Sequence, residues 1–368
     1  MKLNHIIAVL AILIGASACS EDPVPIYISG NPRVDLVRDS IVVQGSEGEQ
    51  AAILAVHMTP EGEMFAGGIE LRPDGQYFQG DIWTHDGTLW RSALDPATRD
   101  LVLSVDDLDA SPSGTVYAVA DLKTPVGLRS SAVLRRDGDA WIDISPSSLT
   151  YANGCNIVSD DEIWLYGNGA VIPHYTNGEW EMTELPEPWN TYHPNDLRVT
   201  AVSGGEGSTH ALAELLTGET ELPHILFRWE DSLWTPIYRE GKVEGAGEDD
   251  RQLQTLLRSR DGVLIASGRG IYRLDGDQLA HLQNHPQGNL FRSSFLSPEG
   301  NIIVAGDGNA MRWSNGEGWY GVHVDSPTPV TFISVAMSDT MIVAAGILGS
   351  TLNPEYVVQH GTITRRIP

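Results

Sequence analysis

The chain has only two cysteines in 368 residues, Cys19 and Cys155. So few thiols exclude a disulfide-stapled scaffold, and stability has to come from a packed core. Cations are also scarce. Lys and Arg total 23 against 49 Asp and Glu, for a formal net charge of −26 and a pI near 4.6. Such a field repels nucleic acid phosphates and anionic lipid, and it favours cations or basic partners. The alternative meaning of the acidity is solubility alone, with no partner implied. No long stretch carries apolar residues at the 3.6-residue helical period, which argues against an α-rich fold. The linear signatures of catalysis and ion binding are missing as well. There is no HExxH, no GxSxG, no phosphate-cradling GxxxxGK[ST] and no EF-hand loop. His281 and His285 have a spacing that suits a metal on a helix, but they straddle a strand end and a Pro-containing loop, where that spacing loses its meaning. No cofactor and no metal site are expected.

One apolar run stands apart. Lys2 and His5 precede Ile6 to Ile14, followed by Gly15-Ala16-Ser17-Ala18 and then Cys19, the layout of a secretory signal over residues 1–18. The run is too short to span a bilayer as a mature helix. A Cys directly after small residues resembles the lipobox of bacterial lipoproteins, which implies lipidation of Cys19. Ala16 stands where that box more often has Leu, and the alternative is plain secretion by cleavage nearby. Ser20 after the Cys resembles lipoproteins sent to the outer membrane, so a cell-envelope location is expected, periplasmic or surface-exposed. Residues 19–50 hold Pro23, Pro25 and Pro32 and no full repeat, and they read as a tether with a possible strand at Ser40–Gln44. Cys155 sits in Asn153-Gly154-Cys155-Asn156-Ile157-Val158 with no assignable His or Asn partner, and it reads as a buried thiol rather than a nucleophile.

From residue 51 to 368 one phrase is repeated seven times: apolar run, turn, apolar run, aromatic, Asp-Gly or Asn-Gly, and often Trp. The first turn appears at Pro60-Glu61-Gly62, Pro112-Ser113-Gly114, Ser159-Asp160-Asp161, Gly205-Glu206-Gly207, Arg260-Asp261-Gly262, Pro298-Glu299-Gly300 and Ser338-Asp339-Thr340. The second appears at Asp86-Gly87, Asp137-Gly138, Asn177-Gly178, Glu230-Asp231, Asp275-Gly276, Asn315-Gly316 and His360-Gly361. Tight hairpins need positive φ, which Gly, Asn and Asp tolerate, so each unit reads as two hairpins. Four antiparallel strands per unit of roughly 40–50 residues is the period of a propeller blade. The expected fold is all-β, a seven-bladed β-propeller of four-stranded antiparallel blades in one domain. Trp90, Trp141, Trp180, Trp234 and Trp319 take equivalent places after the second turn, where a large side chain packs between sheets.

Because successive strands reverse, the first and third connections of every blade emerge on one face, and the second connection and the inter-blade link on the other. The long insertions all fall on the second face, so ligand binding is expected there. The richest loop is Pro188-Trp189-Asn190-Thr191-Tyr192-His193-Pro194-Asn195-Asp196. Trp189, Asn190, Tyr192 and His193 suit stacking on a sugar or gripping a peptide, or the two rings pin the loop to the blade edges. Asp249, Asp250 and Arg251 form a charged loop that is either solvated or cation-binding. Arg72, Lys123 and Arg129 stand in other long loops, where they would meet an acidic ligand.

Segments such as Leu253–Leu279 and Phe291–Trp319 resemble the repeats of two-component-regulator and photosystem-assembly-factor-like β-propellers of the sialidase-like superfamily. The resemblance implies a ring of blades and leaves function open. Thr84-His85-Asp86-Gly87-Thr88-Leu89-Trp90 is similar to the Asp-box of sialidase-like propellers, but its Asp and Gly are adjacent where that box separates them. Two functions follow as expectations. The first is a monomeric, membrane-anchored, non-catalytic propeller that binds a protein or glycan through its long-loop face and no nucleic acid. The second is a glycan-active hydrolase or lyase whose acid and base come from separate blades. An enzyme should show a deep central pocket with perturbed titrating groups, and a binder a broad, shallow surface.

Overall fold

The innermost strand of each blade has its inner edge toward a central channel, and the blades are ordered around that channel in sequence. The computed structural model describes residues 33–34, 37–39, 50–71, 77–123, 129–149, 151–205, 208–216, 224–239, 241–243, 247–249, 252–316, 318–322, 324, 328–338, 341–348 and 355–364. Six blades are four-stranded antiparallel meanders. The innermost strands are Gln50–Met58, Val102–Ala110, Gly154–Ser159, Leu197–Ser203, Thr255–Arg258 and Phe291–Leu296. Blade 7 contributes Val330–Met337, Met341–Leu348 and Glu355–Thr364.

The repeated turns have repeated geometry. In four blades a Ser or Thr N–H bonds the carbonyl four residues on, and the Gly before that residue takes positive φ, as at Gly62 (86°), Gly114 (91°), Gly262 (75°) and Gly300 (90°). A side chain at such a φ strains the backbone, which is why glycine recurs there. Asn177 (52°) and Gly178 (89°) give the second hairpin of blade 3 the paired positive φ of a tight two-residue turn.

Five tryptophans each peg their blade to the one before it. The indole N–H of Trp141 donates to the Ala93 carbonyl (3.2 Å), that of Trp180 to Ile144 (2.8 Å), and that of Trp234 to the Thr183 hydroxyl (3.0 Å). Trp319 packs with Ile265 and Ile271 of blade 5, and Trp90 with Ala336, Val343 and Ala345 of blade 7. The pegs therefore join both ends of the ring as well as its middle.

Ring closure corrects two readings. The His360-Gly361 pair is not a hairpin, because Glu355–Thr364 runs straight through it. The fourth strand of blade 7 comes instead from the N-terminal side. Arg33 and Val34 pair with Thr364 and Ile363, and Val37, Arg38 and Asp39 pair with His360, Gln359 and Val358. The C-terminal repeat is thus incomplete by itself. The expected strand at Ser40–Gln44 lies outside the described residues, and the closing strand precedes it. Among the described residues, no helix is long and apolar enough to cross a membrane.

Candidate functional site

Innermost strands have no neighbour on their inner edge, so backbone N–H groups there need side-chain or solvent partners. This protein supplies side chains from the adjacent blade. Asp107 accepts from the N–H of Cys155 (2.9 Å) and Asp109 from that of Ile157 (2.8 Å), clasping blade 2 to blade 3. The Asn156 carboxamide accepts from Gly204 (2.7 Å), Ser293 from Val335 (3.1 Å) and Ser334 from Val56 (3.0 Å). The Thr255 and Ser294 hydroxyls meet at 2.8 Å between blades 5 and 6. Irregularities in the inner ladders help aim these groups. Register breaks lie between Val105 and Asp107, between Phe291 and Ser293, and between Phe332 and Ser334, leaving Asp106, Arg292 and Ile333 on the channel wall.

The channel encloses about 1330 Å³ and is lined by the innermost strands of all seven blades. Its charge is uneven. Asp106, Asp107 and Asp109 come from blade 2, whereas Arg198, Arg258, Arg260 and Arg292, with Asp261 on the blade 5 turn among them, come from blades 4 to 6, on the other side of the ring. Arg198 and Arg292 sit at the strand starts, hence at the long-loop mouth, and remain 43% and 38% exposed while paired with Glu214 (2.6 Å) and Asp307 (2.6 Å). Arg258 and Arg260 sit at the tight-turn end. Arg258 is committed there, donating to the Gly262 carbonyl and the Ser208 hydroxyl, both at 3.0 Å, with His210 Nδ1 at 3.1 Å.

The acidic wall is strongly perturbed. Burial pushes Asp109 up to about 7 and Asp107 up to about 6, even though each accepts backbone N–H bonds that favour the anion. Burial likewise holds His57 down to about 4, and its Nδ1 lies 3.7 Å from Asp109. Burial, with Asp107 and Asp109 alongside, raises the Cys155 thiol well above its ordinary value. Cys155 is a free, buried residue at the start of its strand, as a structural thiol should be.

A pH dependence follows from Asp109. Folded, it keeps its proton to about pH 7, and unfolded it releases it near pH 4. The stability this provides is complete below about pH 4 and is lost as pH rises through 7. His57 titrates in the opposite sense, losing stability as pH falls from about 6.5 to 4, so the wild-type curve blends the two. Asp109→Asn isolates the carboxylate. Relative to wild type, the variant should gain stability between about pH 5 and 8. The gain should be on the order of 1–2 kcal/mol, discounted because the Asp109 side chain keeps 25% exposure to the channel. Thermal denaturation across this range checks it, and a difference that does not change with pH would contradict the assignment.

Those residues singled out from sequence that are described are distributed over the long-loop face. Trp189 and Tyr192 are half-buried against the core shared by blades 3 and 4, and the Trp189 ring meets Phe227 edge-on at 5.1 Å. Both rings therefore pin their loop. His193 is exposed, its Nδ1 accepting from the Asn195 N–H (3.2 Å), and Asn190 is half-buried with no hydrogen-bond partner for its side-chain oxygen. Lys123 and Arg129 are cross-strand partners at the long-loop end of blade 2, with Lys123 exposed. Asp249 ends a small two-stranded hairpin, Gly241–Val243 with Gly247–Asp249, between blades 4 and 5. Arg72, Asp250 and Arg251 lie outside the described residues. The channel residues were missed by sequence reasoning. The available signal was Asp106-Asp107-Leu108-Asp109, three carboxylates in an innermost strand whose counterparts are largely apolar.

No protein-family model matches the chain, and no curated protein sequence matches it. Solved structures do match its shape. YCF48 bound to D1 peptide aligns over 90% of this chain and 97% of that one, with a TM-score of 0.55 and 14% identity. A Mycobacterium tuberculosis puromycin-hydrolyzing peptidase aligns over 84% of this chain with a TM-score of 0.54 and 16% identity. The match spans 50% of that peptidase. At these identities the likeness establishes the fold.

Proposed function

We propose that the protein is an exported lipoprotein, anchored through Cys19 in the bacterial cell envelope, whose propeller binds an extended polypeptide segment at the long-loop mouth of its channel without catalysis. The observation that carries this reading is the channel itself, open and lined by every blade, with Asp106, Asp107 and Asp109 on one wall and an arginine-rich wall opposite. Polypeptides carry both signs of charge and extended backbone amides, whereas a neutral glycan makes no use of such uneven charge. That a propeller of the same fold is known with a bound peptide is consistent with this use of the ring. Asp107 and Asp109 are engaged in clasping blades 2 and 3. Arg198 and Arg292, although paired with Glu214 and Asp307, keep much of their side chains exposed at the mouth and are the groups best placed to capture a ligand carboxylate.

An array of short synthetic peptides tests the reading. Retention should weaken with added salt and fall by about tenfold or more in Arg198→Ala/Arg292→Ala, since charge-assisted hydrogen bonds contribute roughly 1.5–3 kcal/mol each. Unchanged retention in that variant, or retention of glycans alone, would sink it. The raised carboxylates in a deep channel are the features expected of an enzyme rather than of a broad, shallow binding surface, and they favour a second reading, a glycan-active hydrolase or lyase. Turnover of fluorogenic glycosides that disappears in Asp109→Asn would establish that reading instead.

A further inference from the structure

The direction of the closing strand orients the ring relative to its anchor. Glu355–Thr364 is the third strand of its blade, so it runs from the long-loop face to the tight-turn face and ends there at Thr364. Arg33 pairs with Thr364 and Asp39 with Val358, antiparallel. The chain therefore enters the ring at the tight-turn face and travels toward the long-loop face, where Gln50 begins blade 1. Residues 20–32 intervene between Cys19 and Arg33. Fully extended, they reach at most roughly 50 Å. Doubling back along the ring to bring the long-loop face to the anchor would use about 33 Å of that length, because strands rise about 3.3 Å per residue.

We infer that the tight-turn face is the membrane-facing side, so that the channel mouth with Arg198 and Arg292 opens away from the bilayer toward a polypeptide in the aqueous compartment. This rests on the proposed lipid anchor at Cys19. Charge agrees with a tethered stand-off. Exposed Glu61, Asp161, Asp261 and Glu299 stand on tight turns, where an anionic leaflet repels them within about a Debye length of 8–10 Å. The ring thus hangs from its tether without lying on the lipid. A partner embedded in the same leaflet would meet the quiet face, and a soluble one meets the mouth.

Fluorophores at Glu61→Cys and Glu299→Cys report the tight-turn face, and at Glu187→Cys and Asn195→Cys the long-loop face. All four positions are exposed, and buried Cys155 competes poorly for label. The full-length lipidated protein is reconstituted in zwitterionic phosphatidylcholine vesicles containing a nitroxide-headgroup lipid, which do not repel the acidic turns. Stronger quenching at 61 and 299 than at 187 and 195 is the expected result. Equal quenching, or the reverse order, overturns the orientation. Vesicle sedimentation of Cys19→Ser separates the two claims. If that variant still pellets, the lipid anchor is wrong, while the quenching order still reports which face is turned to the membrane.

Discussion

A chain shortened to begin at Ser40 should lose its closed ring. Arg33, Val34, Val37, Arg38 and Asp39 pair with the Glu355–Thr364 strand, and nothing else among the described residues occupies that edge. At about 1 kcal/mol net per backbone hydrogen bond, removing this strand should cost roughly 3–7 kcal/mol, a large part of a typical domain's stability. It also exposes the long edge of Glu355–Thr364, whose apolar Val357 and Val358 make it a template for pairing with another chain. Urea denaturation should show a lowered midpoint, and gel filtration should show oligomers. Supplying the missing strand as a synthetic peptide should restore the monomer. An unchanged midpoint and a monomeric elution would mean that blade 7 does not need its N-terminal strand.

Trp164→Ala should be the most damaging single truncation between blades 3 and 4. Trp164 is 1% exposed, and its ring stacks on His174 at 3.6 Å with an interplanar angle of 7°. Trp229 and Trp234 meet it edge-on at 5.8 and 5.7 Å. Its indole N–H donates to Glu162 at 3.1 Å, so a polar partner is also lost. Buried Trp→Ala substitutions cost about 3–5 kcal/mol. A second effect is specific to the stack. Burial holds the His174 imidazole below its ordinary pKa against the pull of Glu162 and Glu181. Uncovering it should move that value upward in an NMR titration. A loss of stability under about 1 kcal/mol with His174 unmoved would show that the aromatic cluster is not what joins these blades.

The parts of the fold that were legible in the sequence are those fixed by local chemistry. Positive-φ turns demand Gly, Asn or Asp, and so Gly62, Gly114, Gly262 and Gly300 announce their hairpins. Trp141, Trp180 and Trp234 announce their pegs because one large side chain is needed once per blade. The same local logic failed at His360-Gly361, where an identical-looking dipeptide sits inside a continuous strand. What decides that site is an outer partner from the opposite end of the chain, and local propensity carries no record of it. The channel was illegible for a related reason. Asp106 and Asp107 line it together only because a register break interrupts strand alternation, and Arg198 and Arg292 share a channel with the acids only once the ring has closed. The Trp189 loop was legible as an aromatic loop, but the packing of Trp189 on Phe227 could be seen only in the assembled blades.

The central claim is that the long-loop mouth of the channel receives a polypeptide. Hydrogen exchange of the wild-type protein, with and without a peptide retained from the array, tests it most directly. Protection is expected at the strand starts around Asn153–Cys155, Arg198–Thr200 and Arg292–Ser293, with the tight turns at Glu61, Asp261 and Glu299 unchanged. Protection confined to those tight turns, or to the outer strands of the blades, would contradict the account.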